Sequence, residues 1–385
     1  MTLEKSRWKC KQSPLEIGSI IRMKRILLKI GVAACLGVTF VVLGGETSRS
    51  LVGWDEFSTW RFESEGNDDA RRWMSPWVRT ERPLREAVLS WNVNSNAPSS
   101  LDCEIEVRND ARERAIFTMG IWGRGPNHPA RTSVNRQSSS IGRVSTDTLV
   151  LEKGVREFRV RLRGASSTWS MDSVNLIAVA LIYRGGTTRG RVSNREVWGA
   201  ELAVPQVCQL DYPGGNVWCS PTSLGMALSH WVNRNEMRPL GSTLPAWARQ
   251  VFDPGWGGTG NWAFNTAFAG DFLGIRSYVV RLRDVVDLEV LLSAGIPVPV
   301  SVSYNRLKGL PRRSGDGHFV VCVGVAETGD LVVNDPARQP EVRWVYDRDD
   351  FIAAWATSKN TAYLIYPDRH ALPPDPEGQW TLAVH

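Results

Sequence analysis

From residue 84 to residue 163, apolar and polar side chains alternate over runs too regular for a helix. Ala87, Leu89, Trp91 and Val93 point one way, and Val88, Ser90, Asn92 and Asn94 the other. Cys103, Ile105 and Val107 alternate with Asp102, Glu104, Glu106 and Arg108, and Phe158, Val160 and Leu162 with Arg159, Arg161 and Arg163. A period of two places successive side chains on opposite faces of a strand, so each run is a half-buried strand. Turn-forming stretches such as residues 123–127 separate the runs, and no helical period intervenes. An antiparallel β-sandwich over residues 46–200 is the expectation.

Two side-chain sets in this region invite a binding reading. The tryptophans Trp54, Trp60, Trp73, Trp77, Trp91, Trp122 and Trp169 would serve either as a carbohydrate-stacking platform or as core filler; core is favoured. The arginine row 159/161/163 would grip an acidic polymer or lie on a solvated face paired with Glu104 and Glu106; the paired face is favoured.

The texture changes after residues 197–205. A helix is expected from Ser220 to Val232, with Leu224, Leu228 and Trp231 on one stripe, and a second over 284–294. Val298–Val302, Phe319–Val325 and Leu331–Asn334 read as strands. The C-terminal part, 201–385, is therefore expected to be α+β, with helices early and an antiparallel sheet late.

Charge bears on partners. Residues 1–45 hold eight Lys/Arg and two Asp/Glu, which accounts for the whole formal charge of +6; the rest of the chain is balanced at 38 against 38. A phosphate-attracting field over the folded part is not expected, and neither is a nucleic-acid partner. The basic Met23-Lys24-Arg25, the apolar run from Ile30 to Leu43 and the small Gly44-Gly45 have the layout of an export signal. The run is shorter than the roughly 20 residues of a spanning helix. A cleaved signal and a secreted or cell-envelope protein are expected, with an N-terminal membrane anchor as the alternative. Cys35 follows a lipobox-like Val32-Ala33-Ala34 but sits in mid-run, which argues against lipidation.

Cys10 and Cys35 fall in that segment. Cys103, Cys208, Cys219 and Cys322 would remain. No C-x-x-C pair occurs, so neither a structural zinc nor any other metal or cofactor is expected.

Cys219 follows a Pro213-Gly214-Gly215 loop and precedes Ser220, Pro221 and Thr222, which suit a first helical turn. The unpaired amides and dipole of a helix start favour a thiolate, the form that nucleophilic catalysis uses. A base follows by elimination among five histidines. His128 belongs to the sandwich, and His370 and His385 to a Pro-rich tail. His230 lies eleven residues along the same helix, about 16 Å away. His318 remains, opening an apolar strand after a Gly-rich loop.

Ala326 to Asp330 forms a turn, and Leu331–Asp335 is the returning strand. If Val325 faces Leu331, His318 and Asp335 lie three residues out of step at the same open end of the hairpin. A bulge or the Pro336 corner would close that gap and let Asp335 orient the imidazole. An oxyanion donor is available in the Cys219 amide, with a second from Gln209 or Gln206. A Cys208–Cys219 disulfide is the structural alternative, and Cys322 reads as core. Trp218, Trp256 and Trp262 either line or pack the cleft.

At these residues the sequence resembles the C39-like group of papain-fold cysteine peptidases, over roughly residues 204–366. The resemblance rests on Gln209, Tyr212-Pro213-Gly214-Gly215, Trp218-Cys219-Ser220-Pro221, the Gly258-Thr259-Gly260-Asn261-Trp262 stretch, Gly317-His318 and Asn334-Asp335-Pro336. An exported chain with a β-rich N-terminal domain is also similar to bacterial members. The family order Gln, Cys, His, Asp maps onto Gln209, Cys219, His318 and Asp335, and selects Gln209 over Gln206. It implies a papain-like fold and a thiol peptidase or related amidase, which hydrolyses peptide or amide bonds of a peptide or protein substrate through a Cys-His-Asp triad and a thioester intermediate. Ser220 stands where many members have Gly, which a helix start accepts. Members that cleave after double glycine belong to membrane transporters; that substrate is not implied here. The alternatives are acyl transfer by the same residues, and a non-catalytic protein whose β domain binds a cell-wall or surface polymer.

Overall fold

The computed structural model describes residues 48–385 apart from 65–70, 95–99, 124–130, 153, 165–168, 186–190, 236–243 and 383–385. The export signal or anchor, with Cys10 and Cys35, lies outside the described residues, as do His128 and His385. Among the described residues no helix is long and apolar enough to cross a membrane.

The alternating runs form two six-stranded sheets, antiparallel throughout. In one sheet Val174–Tyr183 lies between Arg49–Trp54 and Leu84–Val93. In the other, Val155–Gly164 lies between Arg71–Met74 and Ser100–Asn109, which pairs onward with Arg114–Gly123. Their facing side chains, Ala87, Leu89, Trp91 and Val93 against Cys103, Ile105, Val160 and Leu162, share one core. Trp54, Trp60, Trp91, Trp122 and Trp169 are buried, so most of the tryptophans fill space. The arginine row is paired across the sheet: Arg159 reaches Glu106 at 2.6 Å, Arg161 reaches Glu104 at 3.4 Å, and Arg163 reaches Asp102 at 3.3 Å.

The other face of Leu84–Val93 is not solvated, which differs from the half-buried reading. Val88 joins Leu51, Leu176, Ala178 and Ala180 in a second core that continues into the C-terminal half. Ser90 and Asn92 on this face cap the edge of strand Ile275–Arg281. The Val279 N–H donates to Ser90 Oγ at 3.0 Å, the Ser277 N–H donates to Asn92 Oδ1 at 2.9 Å, and Asn92 Nδ2 donates to the Ser277 carbonyl at 2.7 Å. Buried polar groups cost free energy unless paired, and an open strand edge needs a cover; one set of side chains meets both needs.

The C-terminal half holds a seven-stranded antiparallel sheet. Its order is Ile275–Arg281, Thr361–Pro367, Val298–Ser303, Gly317–Val325, Leu331–Asn334, Arg343–Tyr346, with Ala200–Glu201 also on Gly317–Val325. Helix α1 (Cys219–Asn235) lays Leu224, Ala227, Leu228 and Trp231 into the core formed with this sheet. Helices α2 (Leu244–Val251) and α3 (Trp262–Ala269) follow, then α4 (Val285–Ser293), the short α5 (Tyr304–Leu307) and α6 (Arg348–Ala356). Strand Ile275–Arg281 comes before α4, and α6 after most of the sheet, so the expected division into early helices and late strands is too simple.

The two halves share packing. From α3, Ala263, Phe264 and Ala267 enter the sandwich core, and the Phe264 ring lies 6.2 Å from Trp91 and 5.6 Å from Trp122. The Leu51 N–H donates to the Gly378 carbonyl at 2.7 Å and Tyr278 Oη to the Trp380 carbonyl at 2.7 Å, so the chain end straps both halves. Phe264→Ala is expected to cost about 3–5 kcal/mol. Chemical denaturation followed by tryptophan fluorescence should show both halves losing stability in one transition. Unchanged stability, or loss confined to one half, would contradict a shared core.

Candidate active site

The approach to Cys219 is shaped by two glycines. Gly214 has φ 82°, the left-handed region that glycine enters without strain. A Cβ on Gly215 would lie 1.8 Å from the Gln209 carbonyl oxygen, so only glycine lets these two turns touch. Helix α1 then begins at Cys219 itself, one residue earlier than expected. Its first turn is anchored by Thr222, whose N–H and Oγ1 both donate to the Trp218 carbonyl at 3.0 and 2.7 Å. Ser220 Oγ lies 2.9 Å from Tyr363 Oη. Cys219 stays partly exposed while its neighbours Ser220 and Thr222 are buried.

A second loop braces this approach. Buried Asp253 accepts from the amides of Ser133 at 2.9 Å and Gly255 at 3.0 Å and from Asn261 Nδ2 at 2.8 Å. Asn261 in turn caps α3 by accepting from the Phe264 N–H at 3.2 Å. Thr259 Oγ1 donates to the Val217 carbonyl at 2.8 Å, tying this loop to the turn before the cysteine. Trp256 on it is half exposed, and Trp218 and Trp262 are partly buried.

His318 and Asp335 meet at the other side. Strand Gly317–Val325 pairs with Val298–Ser303, setting His318 opposite Val302. Val325 faces Leu331 and Gly324 faces Val332, but Cys322 faces Val333 and Val321 faces Asn334: a bulge has shifted the register by one. Continued by one step, that register sets Asp335 opposite Val320. Side chains two residues apart share a face, so Asp335 becomes a diagonal neighbour of His318. Without the bulge the two would project from opposite faces. The contact is direct: His318 Nε2 lies 2.7 Å from Asp335 Oδ1.

The remaining capacity of Asp335 is filled. The Ala337 N–H donates to Oδ1 at 3.0 Å, and Tyr346 Oη donates to Oδ2 at 2.7 Å. The carboxylate is fully buried. Burial pushes its pKa up, but His318, Tyr346 and the Ala337 amide outweigh that and hold it below the usual range. Tyr304 packs its ring 4.3 Å from that of His318. Neither tyrosine was visible as a site residue in the sequence, because the strand Arg343–Tyr346 and the one-turn helix α5 carry no long periodic pattern.

Cys219 faces the same histidine. Burial pushes its thiol pKa up. A hydrogen bond and charge from His318, with backbone hydrogen bonds of Phe319 and Ser220, overcome this and lower it. Burial lowers the His318 pKa, but Asp335 and Cys219 raise it to about 9. With Nε2 engaged by Asp335, Nδ1 is the nitrogen left for the sulfur. The lowered thiol and the raised imidazole favour a thiolate beside an imidazolium.

Gln209 is buried; its N–H donates to the Pro336 carbonyl at 2.8 Å, and its own carbonyl abuts Gly215. It thus bridges the Asp335 corner and the turn before Cys219. Gln206 is exposed and its Oε1 accepts from the Arg343 N–H at 3.1 Å. His230 sits between the Ala203 and Gly295 carbonyls at 3.1 and 3.2 Å, and His370 bonds the Ala294 carbonyl at 3.1 Å. Cys208 and Cys219 are both free thiols, so the disulfide alternative is not formed. Cys103 and Cys322 are fully buried, and burial drives both thiols well above the ordinary range. Among the described residues no group of three or more His, Cys, Asp or Glu is placed to hold a metal ion.

A partly exposed thiol thus lies at a helix start, on the same side as a His–Asp pair carried by the sheet. Residues 201–363 match the Peptidase_C39 like family, and residues 46–180 match the Peptidase C39 N-terminal domain. The chain is a C39-like protein with an N-terminal domain, and the family match supports thiol-dependent peptidase activity in general. No curated protein matches the chain.

Proposed function

We propose that the chain is a cysteine peptidase of papain-like α+β arrangement, working through Cys219, His318 and Asp335. The Cys219 thiolate attacks the scissile carbonyl carbon. The oxyanion is held by the Cys219 N–H and the Gln209 side-chain amide. The His318 imidazolium gives its proton to the leaving amine, and a thioester remains on Sγ. Neutral His318 then takes a proton from water, whose oxygen displaces Sγ and releases the acid. Asp335 keeps the imidazole oriented and stabilises its charged form. The N-terminal segment is read as an export signal or anchor, so the substrate is an extracytoplasmic peptide or protein.

The observation that carries this reading is His318, bonded through Nε2 to Asp335 and placed against Cys219. Its test is the reactivity of the four free thiols among the described residues. Iodoacetamide at neutral pH is expected to label Cys219 at least tenfold faster than Cys103, Cys208 or Cys322, read by peptide mass spectrometry. Cys219 labelling no faster than the buried three would reject the nucleophile.

A further inference from the structure

Two cations flank the His318–Asp335 pair, each held by an aromatic face. Lys308 Nζ lies 3.3 Å from the centroid of Tyr304, the ring that packs on His318. The Arg338 guanidinium lies 3.7 Å from the centroid of Trp344, and the backbone N–H of the same residue donates to the Asp335 carbonyl at 3.2 Å. Among the described residues neither cation has a carboxylate within ion-pair distance, and Arg338 Nε is buried with no hydrogen-bond partner. Nearby acids are committed elsewhere: Asp335 to His318 and Tyr346, and Asp316 to Ser303 Oγ and the Arg313 N–H. The sandwich arginines Arg159, Arg161 and Arg163 are, by contrast, all matched to acids. Burial lowers the Lys308 pKa, Asp335 raises it and Arg338 lowers it, so the two cations feel one another across the site.

The geometry points to an anion subsite formed by Lys308 and Arg338, taking a carboxylate on the leaving-group half of the substrate. This rests on the peptidase reading above. His318 must reach the leaving nitrogen to protonate it, so the chain after the scissile bond passes over the histidine and its Tyr304 neighbour, toward these two cations. A carboxylate there meets the partly exposed Arg338 guanidinium and the exposed Lys308 ammonium, each lying against an aromatic ring. The carboxylate has two sources, an acidic side chain or a free C-terminus.

The test compares anionic iodoacetate with neutral iodoacetamide at Cys219. In each case Sγ displaces iodide and forms one S–CH2 bond. The ratio of the two rates is expected to fall about tenfold in Lys308→Gln/Arg338→Gln, and to fall in the parent protein as salt is raised. Lys308→Arg should retain most of the ratio. Any contribution of the His318 charge is common to all these proteins and cancels. A ratio unchanged by the double substitution overturns the subsite while leaving the nucleophile standing; loss of Cys219 reactivity toward both reagents in the parent overturns both.

Short peptides added as competitors identify the source. Protection of Cys219 by Ala-Glu-Ala amide alone assigns the anion to a side chain, and protection by Ala-Ala-Ala free acid alone assigns it to a C-terminus. Equal protection by Ala-Ala-Ala amide overturns the proposal.

Discussion

Cys219→Ala is expected to remove peptide turnover, by roughly 10⁴-fold or more, with the fold kept. The start of α1 is anchored by Thr222, whose N–H and Oγ1 hold the Trp218 carbonyl, and the substitution leaves both bonds in place. Alanine is the best helix former, and Cys219 is only partly buried, so little packing is lost. Circular dichroism melts of the two proteins should differ by no more than a few degrees. Against a panel of peptides, the parent should turn over at least one and the variant none. Activity retained in the variant would move the chemistry elsewhere. An inactive variant that also fails to fold would leave Cys219→Ser, with a hydroxyl in place of the thiol, as the decisive protein: it should fold and stay inactive, because a serine hydroxyl does not ionise at neutral pH beside this histidine.

Much of this site is legible in the chain because its parts sit at element boundaries. Gly214 and Gly215 announce the turn, Pro221 the helix start, and residues 326–330 the hairpin that returns toward His318. The exact meeting of His318 and Asp335 is less legible, since it depends on a one-residue bulge inside an apolar strand. A signal was present: Gly324 lies within that strand, and a Cβ there would come 2.4 Å from the Ala200 carbonyl, so the glycine marks a close backbone approach beside the bulge. The buried outer face of Leu84–Val93 was hidden for a different reason. Ser90 and Asn92 look alike whether they face water or cap another strand, and only the partner Ile275–Arg281 distinguishes the two. Likewise α3 is too short for its period to register, yet Ala263, Phe264, Ala267 and Ala269 surround it with apolar groups, the mark of a helix buried on all sides.

Removing the histidine should reverse the sign of the Cys219 shift, and that gives the sharpest pH test. In the parent, the charge and hydrogen bond of His318 outweigh burial and lower the thiol pKa. In His318→Gln burial, the largest influence, is opposed only by the backbone hydrogen bonds of Phe319 and Ser220, so the thiol pKa rises to its ordinary value of about 8.5 or above. At pH 6 less than ~1% of such a thiol is ionised, and alkylation of Cys219 by iodoacetamide should be clearly slower than in the parent, whose thiol is lowered. Glutamine keeps an N–H for Asp335, which limits the cost of leaving that buried carboxylate short of a donor. The alkaline side separates two roles of the same ring. The parent His318 holds its proton up to about pH 9 and loses it above. Above that point the thiolate remains, so alkylation should stay on its plateau. Amide turnover should decline there, because no imidazolium is left to protonate the leaving nitrogen. The two profiles must therefore part near pH 9. A parent alkylation rate that tracks an ordinary thiol, or turnover that keeps rising beyond pH 10, would show that Cys219 and His318 do not act as a pair.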